Sequence, residues 1–252
     1  TMLLEGLCRA ISAALAASGV PACVVKGPVF SERLYSVSGD RLFSDIDLLV
    51  DPAAMREAIA VMERLGYVQP DKAWDNSQRD MEYKFAHPDH PTALIELHGN
   101  LVHYPRLRRR AGFGLRELLI AGDGDGKAPA ALLATAIVHA TLGHKLDRLQ
   151  MLVDVLQAAR RVPPDHLAAV ADVLVGLRLG LEARVCLSVV ARLFGDNASG
   201  ELAKRLPSGV GARLGELLVS PVAVVHAQGS GHGFGSWSRR KAFRLVQSLP
   251  GS

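Results

Sequence analysis

The segment Asp45-Ile-Asp-Leu-Leu-Val50 sets two carboxylates one residue apart inside a run that is otherwise aliphatic. Alternate side chains of a strand share a face, so Asp45 and Asp47 stand side by side while Ile46 and Leu48 turn into a core. Adjacent carboxylates repel, and beside an apolar core they either take up protons or gather a cation. Oxygen donors suit magnesium, which commonly uses one or two carboxylates together with substrate phosphates. The plain alternative is a solvated strand edge. Glu96 carries a separate signal: flanked by Ala93, Leu94, Ile95 and Leu97, it is a poor choice for an ordinary buried strand. His98 shares its face by period two, as a pocket residue or as a satisfied structural histidine. Lys26-Gly27 closes an earlier apolar run, where glycine lets backbone N–H groups approach an oxyanion and lysine offers a point charge to phosphate.

These residues need a sheet to bring them together, and the hydrophobic pattern supplies one. Residues 3–17 have helical spacing with Gly19 as a stop, and 22–25 form a short apolar run of strand length. Pro28 suits the first turn of a helix reaching about Tyr35, followed by a loop through Ser38, Gly39 and Asp40. Asp51 is a good N-cap for a helix over 52–65 ending at Gly66. Residues 82–86 and 93–98 read as a hairpin around the breaker-rich stretch 87–91, beside the Asp45 strand. Beyond Gly126 the pattern becomes helical, over 128–142, 145–160, 164–175, 177–194 and 200–206, then a glycine-rich loop over 228–236 and a last helix over 239–249. The expectation is an α+β chain, with a catalytic lobe of mixed sheet and helices over 1–126 and a helical lobe over 127–252.

A chain of 252 residues holds one large domain or two packed lobes. With 49% hydrophobic and 21% charged residues it lies outside the composition of disordered chains. Residues 128–143 are too short to span a bilayer and contain His139, and the N-terminus lacks the basic flank of a signal peptide, so a cytoplasmic protein with no membrane partner is expected. Cys8, Cys23 and Cys186 lie far apart in apolar contexts, which argues against a disulfide framework or zinc knot. The net charge of +4 is small for a protein built to grip nucleic acid. Two basic groups, Arg106 with Arg108 to Arg110 and Arg239 to Lys241 with Arg244, read first as solvated helix faces and second as phosphate contacts. Gly122-Asp-Gly-Asp-Gly-Lys127 lacks the first glycine and the hydroxyl residue of a phosphate loop, and its acids would repel phosphate.

Val25-Lys26-Gly27, Asp45 to Val50 and Ile95-Glu-Leu-His98 together resemble the nucleotidyltransferase superfamily of polymerase β-like fold, and most closely its poorly characterised bacterial branch. The likeness continues through His139, His144, Arg148-Leu149 and Asp154. It implies that Asp45, Asp47 and Glu96 are the catalytic carboxylates and the ligands of magnesium, with manganese as an alternative. It further implies that Lys26, Gly27, Ser44, His98 and His144 line a nucleoside triphosphate site. Pro28 departs from the superfamily, which often has a second Gly or a Ser there. The implied activity is transfer of a nucleotidyl group to an acceptor hydroxyl on a peptide or protein, a small molecule or RNA. Transfer of a sugar from a nucleotide sugar, and a non-catalytic module that binds peptide or RNA, are the competing expectations; carboxylates converging within about 4 to 7 Å favour catalysis. His139 and His144 do not match the i, i+4 spacing of a zinc helix, and no zinc is expected there. Asp154 is expected to pair with Arg148 or with another residue across the helices.

Overall fold

The computed structural model describes residues 2–37, 39–69, 81–230 and 234–248. Helix α1 (Met2–Ala17) turns at Gly19, whose φ is 68°, into β1 (Ala22–Val25). Then come α2 (Gly27–Leu34), β2 (Asp45–Val50), and a 3-10 turn (Pro52–Ala54) leading into α3 (Met55–Arg64). The Asp51 carboxylate accepts from Ala53 N, the cap expected from its position. Strands β3 (Glu82–His87) and β4 (His90–His98) form a hairpin tighter than the breakers implied.

Among the described residues four strands form one sheet, in the order β1-β2-β4-β3. β1 runs antiparallel to β2, β2 parallel to β4, and β4 antiparallel to β3. The sheet is mixed because the return from β2 to β4 crosses over, while β3 and β4 turn directly back. The register puts Asp47 beside Glu96, and Glu96 beside Lys84. One face is thus apolar: Ile46, Leu48, Val50, Phe85, Ile95 and Leu97 pack with Ile11, Leu15, Val61 and Met62 of α1 and α3. The other face carries Asp45, Asp47, Glu82, Lys84, Glu96 and His98.

That charged face is overlain from the helical side. After α4 (Pro105–Ala111) and α5 (Leu115–Ala121), α6 (Pro129–Val138) passes into a π-turn over His139–Gly143. Next come α7 (Leu149–Arg160), α8 (Leu167–Gly176), α9 (Gly180–Phe194), α10 (Asn197–Arg205), α11 (Val210–Leu218), α12 (Pro221–Ser230) and α13 (Phe234–Gln247). The α+β class, sheet first and helices after, is as the sequence pattern implied. A second, larger apolar core runs from Val25, Phe30 and Leu49 through Phe113 and Ile137 to Val190 and Phe243. No described helix is long and apolar enough to cross a membrane.

Several boundaries differ from the sequence expectation. The helix expected over 145–160 starts at Leu149, because Lys145 and Leu146 adopt φ of 55° and 59°, which no right-handed helix accommodates. The stretch 128–142 is not one α-helix, since its last turn widens into the π-turn. Within the expected loop 228–236, helix continues to Ser230 and resumes at Phe234; residues 231–233 lie outside the described residues, as do Ser38 and Leu249. Helices α4, α5, α11 and α12 were not legible, being short or dominated by Gly, Arg or Pro.

Candidate active site

Lys26 is the residue between β1 and α2. Its φ of 54° and ψ of −130° fall in a region that L-residues avoid, and such strain, on the order of 1–3 kcal/mol, persists only where the surroundings fix it. This conformation accompanies an ammonium 2.6 Å from Asp47 Oδ1, both side chains being buried. Gly27 has a packing role beside it. A Cβ there would lie 3.1 Å from the Asp45 carbonyl oxygen and 3.4 Å from the Phe43 ring, so α2 approaches the start of β2 only over a glycine.

A cavity of about 380 Å³ opens over the charged face. A larger hollow of about 1010 Å³ lies against α1 and α2, with Pro28 in its wall, but none of the expected carboxylates lines it. Of the residues anticipated from sequence, Lys26, Ser44, Asp45, Glu96, His98 and His144 line the smaller cavity. Asp47, only 2% exposed, is held against two of them, since His98 Nε2 lies 2.8 Å from its Oδ1 and Lys26 2.6 Å away. The same His98 nitrogen is 3.3 Å from Glu96 Oε2, and the donor atoms of Asp47, Glu96 and His98 lie within 4.8 Å of one another.

Arg41, Glu82, Lys84 and His103 also line the cavity and were not anticipated. Glu82 and Lys84 had a signal: acid and base two apart on a strand share the face of Glu96 in the hairpin register. Lys84 spans the pair, 3.0 Å from Glu82 Oε1 and 2.7 Å from Glu96 Oε1. Arg41 had no local signal, because it sits in a loop and its partner is distant in sequence. Its guanidinium donates from Nε and Nη2 to both oxygens of Asp154, each at 2.9 Å, and Tyr35 Oη donates to Oδ1 at 2.7 Å. The partner of Asp154 is thus Arg41, which clamps the α2–β2 loop onto α7; Arg148 lines the cavity from an exposed position.

The electrostatics divide the carboxylates. Burial pushes the Asp45 pKa up, and the charges of Asp47 and Glu96 add to this against a smaller opposing effect of Lys26. Burial would do the same to Asp47, but Lys26 and His98 outweigh it and hold Asp47 well below the usual carboxylate range. In Glu82, burial is outweighed by His103, His98 and Lys84, which bring the pKa down to about 2. His98 moves up: burial opposes its charge, but Asp47 and Glu96 favour it more.

Across the cavity, the π-turn explains a pairing that ordinary helical spacing does not. Its i to i+5 geometry joins His144 N to His139 O at 3.0 Å and sets the two rings edge to face, 4.8 Å apart. Thr141, fully buried, donates to Ile137 O at 2.7 Å within the same turn. Both imidazoles are kept neutral: burial and Lys26 depress His139 far below its ordinary value, and burial with Arg148 brings His144 down to about 4.

The two basic groups are largely absorbed by structure. Arg110 meets buried Glu182, Arg239 and Arg240 meet Asp147, and Arg244 lies over the Tyr104 ring at 3.7 Å. A family model described as "Uncharacterised nucleotidyltransferase" matches residues 1–195, from α1 to the end of α9, which takes in every residue named in the wall of the 380 Å³ cavity. No curated protein and no solved structure matches the chain.

Proposed function

The chain belongs to this nucleotidyltransferase family, and on that premise we propose that the 380 Å³ cavity binds a nucleoside triphosphate and passes its nucleotidyl group to an acceptor hydroxyl. The observation that carries the reading is the surplus of acid on the sheet face: Asp45 is destabilised as an anion by Asp47 and Glu96, whose own cations, Lys26 and Lys84, are already engaged. A divalent cation relieves that cost, so the residues fit one. Asp45, Asp47 and Glu96 would hold magnesium or manganese, which would supply positive charge against the phosphates of the nucleotide. His98 orients the site by tying Asp47 to Glu96 through one nitrogen. Lys26 and Ser44 line the cavity where they can meet phosphate oxygens, and neutral His144 can contact the nucleotide without adding charge. Glu96 would take the proton from the acceptor hydroxyl.

In this reading residues 1–126 supply the catalytic sheet, and residues 127–252 form a helical lobe that closes the cavity through His139, His144 and Arg148. The acceptor is a peptide or protein, a small molecule or RNA, and the surroundings are cytoplasmic. The test incubates the full chain with magnesium or manganese, each labelled nucleoside triphosphate and a panel of acceptors, and follows label transfer by mass spectrometry. Transfer by the wild type that disappears in Asp47→Asn is the expected result. Transfer surviving undiminished in that variant refutes the assignment of Asp47.

A further inference from the structure

Two donors in the cavity wall, Glu82 and His103, are not used by the proposed transfer, and both stand beside His98. Glu82 on β3 stands opposite His98 on β4, and His103, in the loop after β4, sets its ring edge to face with His98 at 5.8 Å. Donor atoms of Glu82, His98 and His103 all lie within 4.8 Å of one another. His103 Nδ1 comes to 3.2 Å from Glu82 Oε2, yet without the geometry of a hydrogen bond. That separation matches the edge of about 3.3 Å of a tetrahedron whose metal–ligand bonds measure about 2.0–2.1 Å.

The second observation is polar and buried. His98 is 1% exposed, its Nε2 is turned to Asp47 and Glu96, and its Nδ1 has no hydrogen-bond partner. A buried ring nitrogen left bare is costly, and a bound cation is one partner that would satisfy it. Glu82 is also half committed: Oε1 faces Lys84, which leaves Oε2 toward His103.

We propose that Glu82, His98 and His103 bind a divalent transition-metal ion of the zinc type, in addition to the carboxylate-held magnesium. Two imidazoles and one carboxylate form a donor set that suits zinc and its first-row neighbours, whereas magnesium takes oxygen. Three protein ligands leave a fourth position open, and all three residues line the cavity. His98 belongs to both groups of donors, and so couples this site to Asp47 and Glu96. The ion is then a Lewis acid on the cavity wall, able to polarise a bound phosphate or hydroxyl oxygen.

The test uses the full chain, stripped with chelator and titrated with cobalt(II) as a spectroscopic probe, without nucleotide. Ligand-field absorption of low coordination number, displaced by zinc and unaffected by a large excess of magnesium, is the expected result. Glu82→Gln and His103→Ala weaken cobalt binding by more than the roughly 10–100-fold that loss of an outer partner costs. Glu82→Gln preserves side-chain volume and decides the matter if His103→Ala fails to fold. A wild-type chain without this absorption, or absorption that survives Glu82→Gln, overturns the proposal. Metal binding without nucleotide is independent of transfer, so failure here leaves the transferase reading intact, and loss of that reading leaves this site standing.

Discussion

In the helical half, buried Asp154, Glu182 and Asp196 each lie against an arginine, Arg41, Arg110 and Arg160 respectively. On the charged face of the sheet, the four carboxylates of Asp45, Asp47, Glu82 and Glu96 have Lys26, Lys84 and His98 among them, which leaves carboxylates in excess. The difference separates two uses of buried charge. A matched pair such as Asp154 with Arg41, each carboxylate oxygen accepting a hydrogen bond, holds packed segments together. An unmatched group keeps free energy in reserve for a cation, at a cost to the stability of the metal-free fold. The strained Lys26 backbone lies on the unmatched side.

Removing one charge should therefore have opposite consequences in the two regions. Asp45→Asn removes a charge that its surroundings already disfavour. Transfer should fall about 10³-fold, some 4 kcal/mol of transition-state stabilisation, while the heat-unfolding midpoint without metal stays level or rises. A midpoint that drops by many degrees would show that Asp45 is held by structure and erase the contrast. On the matched side, Arg41→Leu strands Asp154 in the core with only the Tyr35 hydroxyl for company. The expected loss is about 3–5 kcal/mol by denaturant unfolding, and a loss under about 1 kcal/mol would place Arg41 with the exposed pairs.

Legibility in sequence follows the same division. Asp45, Asp47, Glu96 and His98 were readable because strand periodicity fixes the face on which each residue falls, and the parallel register then needs only the correct pairing of β2 with β4. Lys84 was available by the same rule through its place opposite Glu96. Arg41 and Asp154 meet across the core, and no local pattern encodes a contact between a loop and a distant helix. His139 and His144 fail for a third reason: helical spacing assumes 3.6 residues per turn, and here the turn widens. The fold class was readable because the change from strand to helix periodicity near Gly126 is long and consistent. Short helices with glycine or proline were not, since their stability comes from packing rather than propensity.

His144 gives the smallest effect and tests whether the imidazoles of the helical wall are kept neutral beside Arg148. Its pKa in the folded chain is about 4, lowered by burial and by Arg148 from the ordinary value of about 6.5. Between those values the unfolded chain binds the proton and the folded chain does not, so His144 makes stability rise with pH through that window. Its contribution is fully present above about 6.5 and is lost as pH falls through 4. The slope is at most about 1.4 kcal/mol per pH unit. His144→Asn should flatten the stability profile between pH 4 and 6.5, and Arg148→Ala should move the His144 resonance, followed by NMR, to a higher midpoint. A His144 that titrates near 6.5 in the wild type would mean that burial, Arg148 and Lys26 do not hold its imidazole neutral, and the neutral-ring account of this wall would fail.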